Sequence, residues 1–245
     1  MRKISLLLIA LVIHTTSFAG EIIEQLSYFN AIRTSSHINV VLSHGNDEQL
    51  RIEYEGVEAE KINYRIIGKT LEIYLEGAKT YDKTIKVHNN GYKQNESYYK
   101  GAKVTAYITY KELTGLQLRG DQTAICKDSI NAAQFKIKLY GENKVFFAYL
   151  NAQRLKGKFY GENKLGINSG KVDMQKFNLY GENEIEIGNL PANTVSVNSY
   201  GENKLALMAK DHIRVFGFGD LELDYSGKPS LNRFIIGELK INGKL

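Results

Sequence analysis

The chain has no tryptophan, one cysteine, two prolines and five histidines in 245 residues. A single cysteine excludes a disulfide scaffold, and no Cys/His spacing reads as a zinc site. The histidines are widely spread, and no nucleophile elbow, phosphate loop or metal triad is present. No catalytic residue, metal site or cofactor is therefore expected. Charged residues make up 24% and hydrophobic ones 43%, which excludes wholesale disorder. What is abundant is glycine (22) and tyrosine (16), a balance that leans towards β structure.

The start of the chain reads as a leader. Arg2 and Lys3 precede an apolar run from Ile4 to Ile13, and Ser17-Phe18-Ala19 is the small-x-small pattern of a cleavage site. Ten apolar residues are too few for a bilayer of about 30 Å. We read residues 1–19 as a cleaved signal peptide and the protein as exported, to the periplasm, the outer surface or the medium, with a retained anchor as the alternative. No cysteine follows the run, so no lipid-modified terminus is indicated. Loss of Arg2 and Lys3 lowers the formal charge from +5 to +3, too mild for a nucleic-acid binder. Cys126, in the apolar setting Thr123-Ala124-Ile125, reads as a buried small hydrophobe; a reactive thiol or an interchain partner is the alternative.

Periodicity is the dominant signal. Tyr-Gly-Glu-Asn occurs at Tyr140–Asn143, Tyr160–Asn163, Tyr180–Asn183 and Tyr200–Asn203, with degenerate copies at Arg119-Gly120-Asp121 and Phe218-Gly219-Asp220. Apolar residues alternate before each glycine (Ile137 and Leu139, Phe177 and Leu179) and after each asparagine (Val145 and Phe147, Ile185 and Ile187). Such alternation marks strands with one buried face. Twenty residues with two short strands and a variable third segment make one coil of a β-solenoid, which buries a core only by stacking on its neighbours.

The alternation assigns faces. Gly141, Gly161, Gly181 and Gly201 fall at a bend, where the missing Cβ lets the backbone turn. Asn143, Asn163, Asn183 and Asn203 point inward and are expected to stack at about 4.8 Å as an amide ladder. Tyr140, Tyr160, Tyr180 and Tyr200 form an outward aromatic ladder, continued by Phe218, and Glu142, Glu162, Glu182 and Glu202 an acidic one. Stacked glutamates repel by about 1 kcal/mol per pair. Lys144, Lys164 and Lys204 in the next column are expected to offset that, a cation between glutamates being the alternative.

The N-terminal half reads Tyr28-Phe29-Asn30-Ala31-Ile32, then Ile38-Asn39-Val40-Val41-Leu42 before Gly45, then Leu50-Arg51-Ile52. Val104–Tyr110 and Leu113 follow, and the array closes on Gly217-Phe218-Gly219-Asp220 and Tyr225-Ser226-Gly227-Lys228-Pro229. This order resembles the head GIN domain family, the so-called auto-transporter adhesins, over about residues 28 to 232. The resemblance implies a right-handed parallel β-helix related to the pectate-lyase architecture. Tyr-Gly-Glu-Asn stands where the family usually has Ser-Gly-Ser, and no self-export through a membrane barrel of its own is expected.

One domain is expected over 20–245. It comprises irregular coils over 28–115 with an inserted loop at 79–103, regular repeats over 116–225 and a C-terminal cap over 226–245. The tyrosine ladder and its glutamates are the candidate ligand site, since aromatic faces stack on sugar rings; mutual packing is the alternative account. The insert, with Tyr81, Tyr92, Tyr98 and Tyr99 among Lys83, Lys86, Lys93 and Lys100, is either a binding loop or a solvated hairpin. Asp211, Arg214, Asp220 and Asp224 are the one grouping loosely like that of a polysaccharide lyase, and polar capping explains them more simply. We expect a non-catalytic envelope or surface module, a monomer or small homo-oligomer, that binds a polysaccharide or partner protein and no nucleic acid. A purely structural envelope role and a carbohydrate-active enzyme are the alternatives.

Overall fold

The structure, a computed structural model, describes residues 19–89 and 92–244. The expected leader, apart from Ala19, lies outside the described residues, as do Asn90 and Gly91 of the insert's turn signal.

The molecule is a β-solenoid of about six turns. Each repeat contributes three stretches that lie parallel on the next coil, 123–126 on 144–147, 129–132 on 149–152 and 134–141 on 154–161. The register is that of the motif, with Tyr140 beside Tyr160 and Gly141 beside Gly161. Phe135, Ile137, Leu139, Val145 and Phe147 are buried while Lys136, Lys138, Lys144 and Phe146 between them are exposed, so period-2 alternation sets the inside. Beyond Asn203 the step shortens to 18 residues, with Asn203 beside Leu221 and His212 beside Ser230.

The parallel stack does not extend to the N-terminal end. Ala19–Gln25 and Lys103–Tyr110 both run antiparallel to Gln49–Glu55 between them, and Ile62–Ile67 runs antiparallel to Thr70–Leu75. The reason is connection length. Gly68-Lys69 returns the chain as a two-residue hairpin with Gly68 at φ +62°, whereas a parallel neighbour requires a full circuit of the coil. Stack order also departs from chain order. Ala31–Thr34 lies between Gly115–Gly120 and Thr70–Leu75, so the chain enters in mid-stack, builds the end, and returns.

Residues Thr84–Asn89 and Tyr92–Ser97 form a separate two-stranded hairpin. Its base is anchored by buried Tyr99, whose hydroxyl donates to the Glu76 carbonyl at 2.7 Å. His37, the one non-glycine residue at positive φ (+65°) among those described, places Nε2 3.1 Å from both Asp82 Oδ1 and Ser97 Oγ.

Near that end Glu72 is nearly buried among three cations, Arg33 Nη1 at 2.5 Å, Lys79 Nζ at 2.8 Å and Arg65 Nε at 3.2 Å. Burial pushes its carboxyl up, but Lys79, Arg65 and Arg33 more than reverse this and hold it below the usual range. The stability it contributes is present above the unfolded carboxylate pKa of about 4.3 and is lost as pH falls through the lowered folded value. Glu72→Gln is therefore expected to cost about 1–3 kcal/mol at neutral pH, less than a fully buried pair because the cations are part-exposed. In urea unfolding the gap from wild type should narrow steadily as pH falls below the unfolded carboxylate pKa; a gap that does not change with pH there would contradict this.

At the other end Ser230–Ile236 and Leu239–Lys244 add one more coil. Arg233 sits below the buried Val215 in a core column, and an inward charge of this kind discourages a further strand from stacking there.

Candidate functional site

The repeated motif builds one corner of the solenoid. Gly141, Gly161, Gly181, Gly201 and Gly219 all have φ between +102° and +109°. A Cβ on any of them would stand 2.4–2.5 Å from the carbonyl oxygen of the glycine in the preceding coil. The corner thus needs glycine twice, for its backbone conformation and for the close approach of its neighbours.

Inside the corner the asparagines form a one-way ladder. Asn143 Nδ2 donates to Asn163 Oδ1 at 2.9 Å, Asn163 to Asn183 at 3.0 Å, Asn183 to Asn203 at 2.9 Å, and Asn203 to Ser199 Oγ at 2.8 Å. The backbone N–H groups of Asn143 and Asn183 also donate to the Oδ1 one coil on. Asn143 Oδ1, at the open end of the ladder, is buried without a partner.

Outside the corner the tyrosine rings are parallel. Centroids are 5.2, 4.8 and 5.1 Å apart from Tyr140 to Tyr200, with interplanar angles of 2–3°. Arg119 covers the outer face of Tyr140 at 4.4 Å, and Phe218 lies under Tyr200 at 6.0 Å. Every ring face is therefore occupied by a neighbour, so the platform for sugar rings expected from the sequence is not on offer. Edges and hydroxyls are: Tyr160 is 37% and Tyr180 38% exposed.

Past the bend, Glu142, Glu162, Glu182 and Glu202 stand exposed in their column. The lysines do not pair with them. Lys164 lies 3.1 Å from both Glu184 and Glu186, while Lys204 and Lys240 reach Glu222 at 3.5 and 3.2 Å. Lys164 holds the Glu184 carboxyl below its usual range. The alternation explains the mismatch: Glu142 and Lys144 flank the buried Asn143 and belong to different columns. Between those columns runs an open groove of about 850 Å³, reaching from Asp121 to Glu238 and Lys240. Among the described residues no group of three or more His, Cys, Asp or Glu is placed to hold a metal ion.

The remaining candidates do not converge on a site. Cys126 is buried, with Tyr110 Oη at 3.3 Å and the Asp128 carbonyl at 3.4 Å, and burial pushes its thiol up. In the insert, Tyr98 is occupied by Lys83 at 4.2 Å over its ring and by a 3.0 Å hydrogen bond from Lys61, while Tyr81 is exposed. Asp220 accepts from the Glu238 N–H and Asp224 from the Asn242 amide, as terminal-coil capping requires. Arg214 stands on a different face, in register with Asn232. Overlooked in the sequence were the charges on the sheet before the corner. Writing positions 136, 156 and 176, and 138 and 158, beneath one another would have displayed them.

Comparison with known proteins agrees with this architecture. The model of a family described as "putative auto-transporter adhesin, head GIN domain" matches residues 28–229. A solved structure named a "putative adhesin" from Bacteroides fragilis superposes with a TM-score of 0.71 at 19% identity, covering 94% of this chain and 98% of that one. Another "putative adhesin", from Parabacteroides merdae, gives 0.66 at 13% identity, with 93% and 96% covered. A "putative lipid binding protein" from Parabacteroides distasonis gives 0.60 at 18%, with 94% and 98% covered. At these identities the likeness is one of fold. No curated protein matches the chain. Among the described residues no helix is long and apolar enough to cross a membrane.

Proposed function

Because the chain belongs to the head GIN domain family, we propose that it is an exported, non-catalytic recognition module of the cell envelope or surface, whose glycine corner holds an extended, hydroxyl-rich polymer such as a polysaccharide. One observation carries this reading: the four corner glutamates make no ion pair among the described residues, although lysines stand one column away and pair elsewhere. A column of free carboxylates on one side of the corner and a row of phenol hydroxyls on the other offer acceptors and donors at the solenoid's own repeat of about 4.8 Å. A polymer lying along the groove would meet equivalent groups at every coil, and many weak contacts add up as avidity. The leader pattern and family membership support export.

The test is a glycan array probed with wild type and with the double variant Glu162→Gln, Glu182→Gln. A hydrogen bond to a charged group contributes about 1.5–3 kcal/mol, so each substitution is expected to weaken binding at least tenfold. Binding unchanged in the double variant would place the site elsewhere.

A purely structural role has its own support, because the rings spend their faces on one another. Stacked aromatic pairs are worth about 0.5–1.5 kcal/mol each. An array on which no glycan binds would favour that role.

A further inference from the structure

We propose that the sheet face preceding the glycine corner is a docking surface for a membrane containing anionic lipids. This face consists of residues 134–140 and their equivalents in the coils above and below. On it Lys136 stands beside Lys156, and Lys138 beside Lys158, one coil apart. Lys176 and, past Ser196, Arg214 continue the first column through the repeat register; Arg154 flanks it, and Arg119 heads the tyrosine column. From 114–119 through 134–140, 154–160, 174–180, 194–200, 212–218 and 230–236 the face carries no aspartate or glutamate at all.

Charge of one sign directly opposed across strands destabilises a sheet, and here nothing relieves it. None of these lysines has an ion-pair partner among the described residues. The lysines just past the corner do, as Lys164 does with Glu184 and Glu186 and Lys204 with Glu222. The chain's charge is therefore sorted by face: a formal total of only +5 hides a surface with no acid over these seven stretches, the next acid in the stack, Glu72, being paired with Arg33, Arg65 and Lys79.

A second feature selects a bilayer over a soluble polyanion. At the C-terminal end the second of these lysine columns and the tyrosine column beside it turn apolar. Phe216 lies beside Phe234 and Phe218 beside Ile236, and all four are exposed, Phe234 and Ile236 at 55% each. The tyrosine ladder borders the face along its length. Lysines for lipid phosphates, tyrosines at headgroup depth and an apolar tip that enters the acyl boundary are the parts of a peripheral membrane surface. A soluble polyanion has no use for the tip. Docked this way, the protein would hold its acidic groove around the corner from the lipid.

The test is sedimentation of the full chain with vesicles of phosphatidylcholine plus phosphatidylglycerol, against vesicles of phosphatidylcholine alone. The leader carries Arg2 and Lys3 and is common to wild type and every variant, so the change between wild type and variant is what counts. Each lysine near an anionic surface is worth about fivefold in partitioning. The triple variant Lys138→Gln, Lys156→Gln, Lys158→Gln is expected to lose about 100-fold, and salt near 1 M to abolish the difference. Phe234→Ser with Ile236→Ser should weaken binding in a salt-independent way. An equal loss on substituting Lys144, Lys204 and Lys240, across the corner, would overturn the assignment to this face. So would equal binding to both kinds of vesicle. Binding to soluble dextran sulfate but not to vesicles, unaffected by the Phe234 and Ile236 changes, would overturn the membrane as occupant. Circular dichroism of each variant confirms that the surface substitutions leave the fold intact.

Discussion

Gly161→Ala is expected to destabilise the protein by about 3–5 kcal/mol, a drop visible in thermal or urea unfolding. Two effects add. At φ +102° an L-residue is strained by about 1–3 kcal/mol. The new methyl would also stand 2.4 Å from the Gly141 carbonyl oxygen, and overpacking of this kind costs about 1–3 kcal/mol. The oxygen cannot yield locally, because it belongs to a backbone clamped in register with the coils on both sides. Gly68→Ala carries the first effect alone, since Gly68 also has positive φ (+62°) but a Cβ there meets nothing within 4 Å, so the difference between the two variants measures the second. The cost of Gly68→Ala should stay near the roughly 1–2 kcal/mol of a left-handed residue. Equal costs for the two variants would mean that the close approach of coils at the corner contributes nothing.

Asn163→Ala is expected to cost about 3–5 kcal/mol. Its removal strips the acceptor from both the N–H and the Nδ2 of Asn143 and the donor from Asn183 Oδ1. Each buried polar group so orphaned costs about 1–3 kcal/mol, moderated where a water enters the space left behind. The ladder's direction makes the prediction sharper. Asn143→Ala removes an oxygen that is already unpartnered and leaves only one contact on Asn163 unmade. It should cost about 1–2 kcal/mol less than Asn163→Ala. Urea unfolding of the two variants side by side measures the difference, and the opposite order would reverse the ladder.

The repeat made the regular half of the molecule readable, because a period of twenty with alternating apolar residues allows one arrangement of coils, strands and faces. The corner was legible for the same reason: Gly161, Asn163 and Tyr160 hold the same place in each copy, so each must stack on its equivalent. Direction at the N-terminal end was not legible. Alternation in Gln49–Glu55 or Ile62–Ile67 reports which side is buried and is identical for parallel and antiparallel neighbours. Ring orientation was not legible either. Register puts Tyr160 about 5 Å from Tyr180 whatever the ring planes do, and only the side-chain geometry reveals that the faces are consumed by stacking. Lys164 was assigned to the wrong glutamates because sequence adjacency to Glu162 counted for more than its own column, which holds Glu184, and the next one, which holds Glu186. The lysine face was missed because net charge sums over faces, and the acids lie on others.

The central claim, recognition along the corner by hydroxyls and carboxylates in place of ring faces, is tested most directly by calorimetric titration of an array-selected glycan into Tyr160→Phe, Tyr180→Phe. This variant keeps both rings, and so the stack, and removes only the hydroxyls. The account predicts binding at least tenfold weaker with an unchanged melting temperature. Wild-type affinity in the phenylalanine variant would contradict it.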